Sequence, residues 1–254
     1  MGGEAQGLMA DPLFDEEVQL LRRNRAERQG FRAFLHQRTL DDILDRLQFV
    51  SRRFKRAVVI GPVPGNLVEP LNAVAEQVRF LDRPNNAADG DIGSFDLCLS
   101  LGWLDTVNDV PLALRLIRAL LAPDALFAGT FAGNDSLPML RMAMLAADRA
   151  ANRGAAPRVH PRIDAAAVAP LLQQAGFTMP VVDVDRVRLR YRDFGALVAD
   201  LRGLGGTNSL LSRSRTPLTR KSLTAARDAF AAAGDEDGTV ETIELVHFAA
   251  WTPA

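Results

Sequence analysis

The residues with the most chemical content cluster around position 60. Ala57-Val58-Val59-Ile60 is a short apolar run ending at Gly61, and Gly61-Pro62-Val63-Pro64-Gly65 is turn chemistry. Glycines there let the main chain approach a ligand closely, and a helix starting after the turn presents free N–H groups. Asn66 is a candidate cap for that helix, which the pattern carries to about Gln77. Asp82, seventeen residues beyond Gly65, closes the strand-like run Val78-Arg79-Phe80-Leu81. An acid at that place can accept two hydrogen bonds from ribose hydroxyls. Ligands of open parallel sheets bind beyond the carboxyl ends of the strands, so the spacing suggests a nucleoside. A strand-end turn followed by a surface aspartate accounts for the same residues without any ligand.

Other reactive side chains are few. Cys98 is the single cysteine and lies in the apolar run Phe95-Asp96-Leu97-Cys98-Leu99-Ser100. It reads as a buried small hydrophobe, and no disulfide or thiolate metal cluster can be built from it. The three histidines are dispersed and make poor evidence for a metal site. His36 falls on the surface of an N-terminal helix, His247 is structural in the last strand, and His160 stands in a loop between Pro157 and Pro161.

These residues need elements to position them. Residues 13–53 read as helical, with Phe31, Phe34, Leu35, Ile43, Leu44 and Leu47 as an apolar stripe and Arg22, Arg23, Arg25 and Arg28 as a solvated face. Four strands (57–60, 78–82, 95–101 and 125–131) then alternate with helices, which predicts a parallel sheet in a doubly wound α/β unit. Asp109 caps the clearest helix, with Pro111 in its first turn and Val110, Ala113, Leu114, Ile117, Leu120 and Leu121 on one face. The second half is predicted as helices over 136–151 and 164–175, the latter closed by Gly176. An alternating strand over 181–191, helices over 193–203 and 218–233, and a strand over 240–251 complete it. Residues 206–217 read as a loop open to movement.

The whole-chain numbers set the bounds. With 254 residues, 48% hydrophobic and 24% charged, the composition is that of a globular protein with an ample core. Thirty Lys+Arg against thirty-one Asp+Glu leave a net charge of −1, which argues against nucleic acid or an anionic membrane as a partner. Met1–Pro12 lacks the basic and apolar parts of a signal peptide, and no apolar run is long enough for a membrane span. A cytoplasmic location is the expectation.

Particular stretches carry a resemblance. They are Phe14-Asp15 with Arg25-Ala26, Ser94-Phe95-Asp96-Leu97, Val107-Asn108-Asp109-Val110-Pro111 and Phe131-Ala132-Gly133-Asn134-Asp135-Ser136-Leu137. Further along come Ala175-Gly176-Phe177, Val181-Val182-Asp183-Val184-Asp185 and Asp200-Leu201-Arg202-Gly203-Leu204-Gly205-Gly206-Thr207-Asn208. In order and over nearly the whole chain, these resemble the class I S-adenosylmethionine-dependent methyltransferases. Within that superfamily they resemble the branch of mitochondrial complex I assembly factor 5 and its bacterial relatives. The resemblance implies a Rossmann-like sheet of seven strands, the last antiparallel, within a single unit over 1–254. That unit comprises an N-terminal helical segment 1–53, a cofactor-binding half 54–135 and a C-terminal half 136–254 with helical insertions.

The same resemblance implies site residues for S-adenosylmethionine. Gly61, Val63 and Gly65 would lie beside the methionine moiety and Asp82 on the ribose. Asp89 or Asp91 would face the adenine edge, Ser100-Leu101 the transferred methyl, and Arg25 would belong to a lid. Asp105, His160, Tyr191 and Asn208 are candidates for the reaction cleft. The turn departs from the family's acid-x-Gly-x-Gly-x-Gly: Val59 replaces the acid, Val63 puts a branched side chain where the family keeps bare backbone, and Pro62 and Pro64 remove donors. The expected function is therefore methyl transfer to a protein or small acceptor. One alternative is a scaffold that keeps the fold without the cofactor, and another is an arginine hydroxylase-like assembly factor acting on a protein partner.

Overall fold

The computed structural model describes residues 11–50, 52–152 and 154–254. The N-terminal segment forms two helices rather than one, α1 (Glu16–Arg28) and α2 (Phe34–Gln48). Asp15 caps α1 by accepting the Val18 N–H at 3.1 Å, with Glu16 and Glu17 in the first turn and Arg25 and Arg28 in the last. Gly30, at φ +84, breaks the helical path between them.

The sheet is built from β1 (Phe54–Ile60), β2 (Ala75–Leu81), β3 (Phe95–Leu101), β4 (Leu121–Ala132), β5 (Thr178–Tyr191) and β6 (Thr239–Trp251), in the order β2-β1-β3-β4-β6-β5. β2, β1, β3 and β4 are parallel, while β6 runs antiparallel to both β4 and β5. The described residues thus hold six strands, as the residue patterns give, and not the seven that the resemblance implies. Between β2 and β3 the chain makes only two 3₁₀ turns, Pro84–Asn86 and Asp89–Asp91, which is too little for another helix and strand.

A second difference concerns the helix after the glycine turn. Asn66 does not cap a helix to Gln77. Gly65–Leu67 is a 3₁₀ turn, α3 spans only Val68–Asn72, and the chain is already β2 at Ala75. Pairing of Ala75 and Gln77 with Phe54 and Arg56 of β1 claims the residues that a longer helix would need.

Two apolar layers cover the sheet. On one face Val58, Ile60, Cys98, Phe127 and Phe248 pack against α4 (Val110–Leu120) and α6 (Ala165–Gln174). On the other, Ala57, Val59, Leu97 and Leu99 pack against Leu40 and Ile43 of α2. Val59, where the family has an acid, is fully buried in this second layer. A third cluster joins β5 and β6 to α5 (Pro138–Ala150), α7 (Phe194–Gly203) and α8 (Arg220–Ala232). Asp109 accepts the Leu112 N–H at 2.8 Å, and Gly176 ends α6 at φ +89, both as the sequence predicts.

Residues 206–217 are irregular but tied down. Asp15 N–H donates to the Ser209 carbonyl at 2.8 Å, Leu211 N–H to the Leu13 carbonyl at 3.0 Å, and Arg213 pairs with Asp15 at 2.9 Å. No helix among the described residues is long and apolar enough to cross a membrane.

Candidate functional site

The carboxyl ends of β1, β3 and β4 open into a cavity of about 200 Å³. Its floor is Pro62, Val63 and Pro64 after β1, Gly102 and Trp103 after β3, and Thr130 to Ala132 of β4. Its roof is the N-terminal segment, through Gln19, Arg23 and Glu27 of α1 and Phe31, Leu35, His36 and Thr39 in and before α2. The spacing of Gln19, Arg23 and Glu27 is one helical turn each, so they share a face. Arg25 points away from that face and is exposed, so Arg23 is the lid arginine that reaches inward. Arg23 is partly buried, with Asp82 and Glu27 as nearby negative charges.

One side chain holds the roof in place. Asn108 accepts the Leu13 and Phe14 N–H groups on Oδ1, at 2.9 and 2.7 Å, and donates from Nδ2 to the Phe14 carbonyl at 3.1 Å. The Phe14 ring meets His160 edge-on, with centroids 5.2 Å apart. Stretches far apart in sequence, around Phe14, Asn108 and residues 206–211, thus make one joint.

Beside that joint lies a buried ion pair. Asp105 and Arg162 bond directly, with side chains 6% and 10% exposed, and both line the cavity. Burial pushes the Asp105 carboxyl above its ordinary value, and Arg162 only partly offsets this. His160 is buried, and its Nε2 accepts the Ser209 N–H at 2.8 Å, so the neutral ring carries its proton on Nδ1. Burial, with Arg162 and Arg22 nearby, depresses its pKa to about 3.

His36 is the residue that sequence reasoning misplaced. It faces the cavity instead of solvent: Nε2 stands 3.4 Å from where a Cβ on Gly102 would be. Burial and the Arg23 charge lower its pKa to about 4, so the ring is neutral near pH 7. Among the described residues three buried side-chain polar atoms lack a partner: His36 Nδ1, Ser100 Oγ and Arg162 Nε. His36 and Arg162 line the cavity, and Ser100 sits at the end of β3 two residues before Gly102. Buried polar groups are normally paired, so such atoms gathered at one place mark where a polar ligand or ordered water fits.

The other predicted residues divide. Asp82 is exposed at the end of β2, a negative charge acting on Arg23 but not part of the cavity lining. Asp89 is exposed in the turn beyond it. Asp91 instead turns inward, bonding Arg79 at 2.6 Å and accepting the Ala88 N–H at 2.8 Å, so it holds the loop and does not face the cavity. Ser100 and Leu101 are buried in the strand, and Gly102 and Trp103 take their place at the cavity wall. Gly65 does not line the cavity, and Tyr191 is packed in the third cluster, away from it. Asn208 instead donates to the Pro157 carbonyl at 2.8 Å and accepts the Leu210 N–H at 3.0 Å, holding the loop.

The glycine turn itself is remodelled. Gly61 has φ +106, which a side chain would strain, and a Cβ there would lie 2.7 Å from Trp103 Cβ. Trp103 therefore uses the close approach that the family reserves for cofactor, and Val63 packs into the layer under α2. Neither Asp82 nor Gly61 lines the cavity, and the turn does not reproduce the glycine cradle.

No protein-family model matches the chain. It is 30% identical over 243 residues to the mitochondrial arginine-hydroxylase NDUFAF5 of Danio rerio, a match covering 87% of this chain and 75% of that protein. It is 31% identical over 165 residues to a malonyl-[acyl-carrier protein] O-methyltransferase of Laribacter hongkongensis, covering 64% and 52% respectively. Among solved structures it is similar to the YcgJ protein of Bacillus subtilis, with a TM-score of 0.55, 11% identity, and 86% and 100% of the two chains covered. At that identity the likeness speaks for the fold alone.

Proposed function

The chain belongs to the NDUFAF5 branch of the class I S-adenosylmethionine-dependent methyltransferase superfamily, and on that premise we propose that it transfers a methyl group inside the cavity beneath α1 and α2. The observation that carries this reading is the position of that cavity. It lies at the carboxyl ends of β1, β3 and β4, with the unpartnered His36 Nδ1 and Arg162 Nε at its wall.

S-adenosylmethionine would supply an electrophilic methyl group on a sulfonium. Asp82 would hold its ribose, Asp89 is the remaining candidate for the adenine edge, and the turn Pro62-Val63-Pro64 at the cavity floor would meet the methionine end. The chain's own work is then positioning and exclusion of water. Asn108 fixes the lid, Phe31, Leu35 and Phe131 keep the chamber apolar, and the Asp105–Arg162 pair fixes the wall beside His160. His36, neutral near pH 7, can take a proton from an acceptor at Nδ1 when that atom is the unprotonated one. The lone buried Cys98 suits a reducing compartment.

One observation favours a second reading, in which the fold serves as a scaffold for assembly: Trp103 sits over Gly61, and Val63 belongs to the apolar layer. The name of the Danio rerio relative, an arginine-hydroxylase, adds a variant of the first in which the chain hydroxylates an arginine. Calorimetric titration with S-adenosylmethionine and S-adenosylhomocysteine separates enzyme from scaffold. Micromolar binding, about −8 kcal/mol, that Asp82→Ala abolishes without loss of the fold supports the enzyme. No heat and no thermal shift at millimolar ligand sinks it. Product mass from a candidate acceptor then tells methylation from hydroxylation.

A further inference from the structure

A second cavity, of about 420 Å³, adjoins the first and shares Leu137, His160, Arg162, Leu201, Gly206 and Thr207 with it. Its volume falls within the roughly 300–1,000 Å³ typical of small-molecule sites. Most of its wall is apolar, from Leu140 and Met144 of α5, Phe194 and Val198 of α7, and Leu218 and Leu223 at α8. The charged part of the wall is of one sign. Arg158, Arg162, Arg202 and Arg227 line the cavity, and no Asp or Glu does among the described residues.

The four arginines are not equivalent. Arg158 is held by Asp148, with both contacts to Oδ1 at 2.9 and 2.6 Å, and Arg162 by Asp105. Arg202 and Arg227 have no carboxylate within 4.0 Å among the described residues, and both are exposed at the cavity's mouth. Two cations fixed by buried partners and two left over make a site short of negative charge. An apolar wall beneath an arginine rim matches a molecule with an aliphatic body and an anionic end. A guanidinium or ammonium head would be repelled there.

We propose that this second cavity binds an aliphatic or acyl chain ending in a carboxylate, with Arg202 and Arg227 on the carboxylate and the α5–α7–α8 wall around the chain. Its role as the acceptor subsite rests on the methyl-transfer reading; the binding itself does not.

The test uses the full chain and three probes of equal length, each below its micellar concentration: decanoate, decanol and decylammonium. Calorimetry is expected to give decanoate an affinity at least tenfold above decanol, with decylammonium weakest. Arg202→Ala with Arg227→Ala, both at exposed positions, is expected to bring decanoate down to the level of decanol. Val198→Trp, which fills this cavity and not the first, is expected to abolish binding of both. Equal binding of decanoate and decanol, tight binding of decylammonium, or an unchanged ratio in the double arginine variant overturns the proposal. S-adenosylhomocysteine is titrated on the same samples. If it binds while decanoate does not, the subsite is wrong and methyl transfer stands. If decanoate binds while it does not, the subsite stands and its acceptor role falls.

Discussion

Replacing Arg162 by Met should expose how much of the cavity wall depends on one ion pair. Methionine keeps much of the apolar stem and removes the charge, leaving Asp105 buried and unpaired. Two unit charges about 4 Å apart attract by about 4 kcal/mol at an effective dielectric near 20. Breaking one side of a buried pair typically costs about 3–5 kcal/mol. Since a whole domain is stable by only about 5–15 kcal/mol, R162M should stay folded but lose a large part of its margin. The loss has a pH signature. Burial already raises the folded pKa of Asp105, so the fold takes up its proton more readily than the unfolded chain does. Such a group loses stability as pH rises from the unfolded value of 3.8 through the folded one. Without Arg162 the folded value climbs further and that window widens. The deficit of R162M relative to wild type should therefore grow as pH rises from 3.8 toward neutrality in urea denaturation. The companion variant Asp105→Asn/Arg162→Met should recover about 2 kcal/mol, giving a clear coupling energy in the double-mutant cycle. A coupling below about 0.5 kcal/mol, or a deficit flat across that pH range, would refute the reasoning.

Three further perturbations address the lid, the turn and the second half. Asn108→Ala removes the acceptor of the Leu13 and Phe14 amides; the cost should be about 1–3 kcal/mol, read as faster hydrogen exchange or proteolysis over residues 13–28 with less change in global unfolding. Val63→Gly should leave the affinity for S-adenosylhomocysteine unchanged or raise it, by opening the floor of the cavity; a sharp fall in calorimetry would make the valine a ligand contact. Glu241 lies fully buried at the start of α5 and accepts the Met139, Leu140 and Thr242 amides at 3.2, 2.8 and 2.9 Å. Glu241→Gln replaces one accepting oxygen with a donor facing N–H groups, so thermal denaturation should show a loss of about 1–3 kcal/mol; an unchanged midpoint means the cap is dispensable.

Much of the fold was legible because local rules decide it. Asp109 caps a helix because a short acceptor precedes a helical run, and Gly176 ends one because its φ is positive. The strands read at 95–101 and 181–191 announce themselves by a continuous apolar run and by alternation, the second starting three residues earlier in the structure, at Thr178. The site was less legible. Spacing singles out Asp82 and Gly61, but neither lines the cavity, and Asp91 and Asp89, two residues apart, have opposite fates that only the loop's packing on Arg79 decides. His36 lies in a polar-looking helix whose burial depends on the sheet end it covers. Tyr191 closes a strand whose inner face belongs to a helical cluster elsewhere.

The sequence by itself determined the order of the strands and the Asp109 and Gly176 helix ends, since propensity and periodicity act within a few residues of each position. It also carried the family, through short motifs in a fixed order. Tertiary structure alone decided that Ala75–Gln77 is strand and not helix, that Arg23 and not Arg25 faces the chamber, and that Trp103 occupies the approach to Gly61. It also gathered four arginines from three separate stretches around one apolar cavity. In each case the partner lies far along the chain, and side-chain direction is set by that partner's packing, which no local window contains.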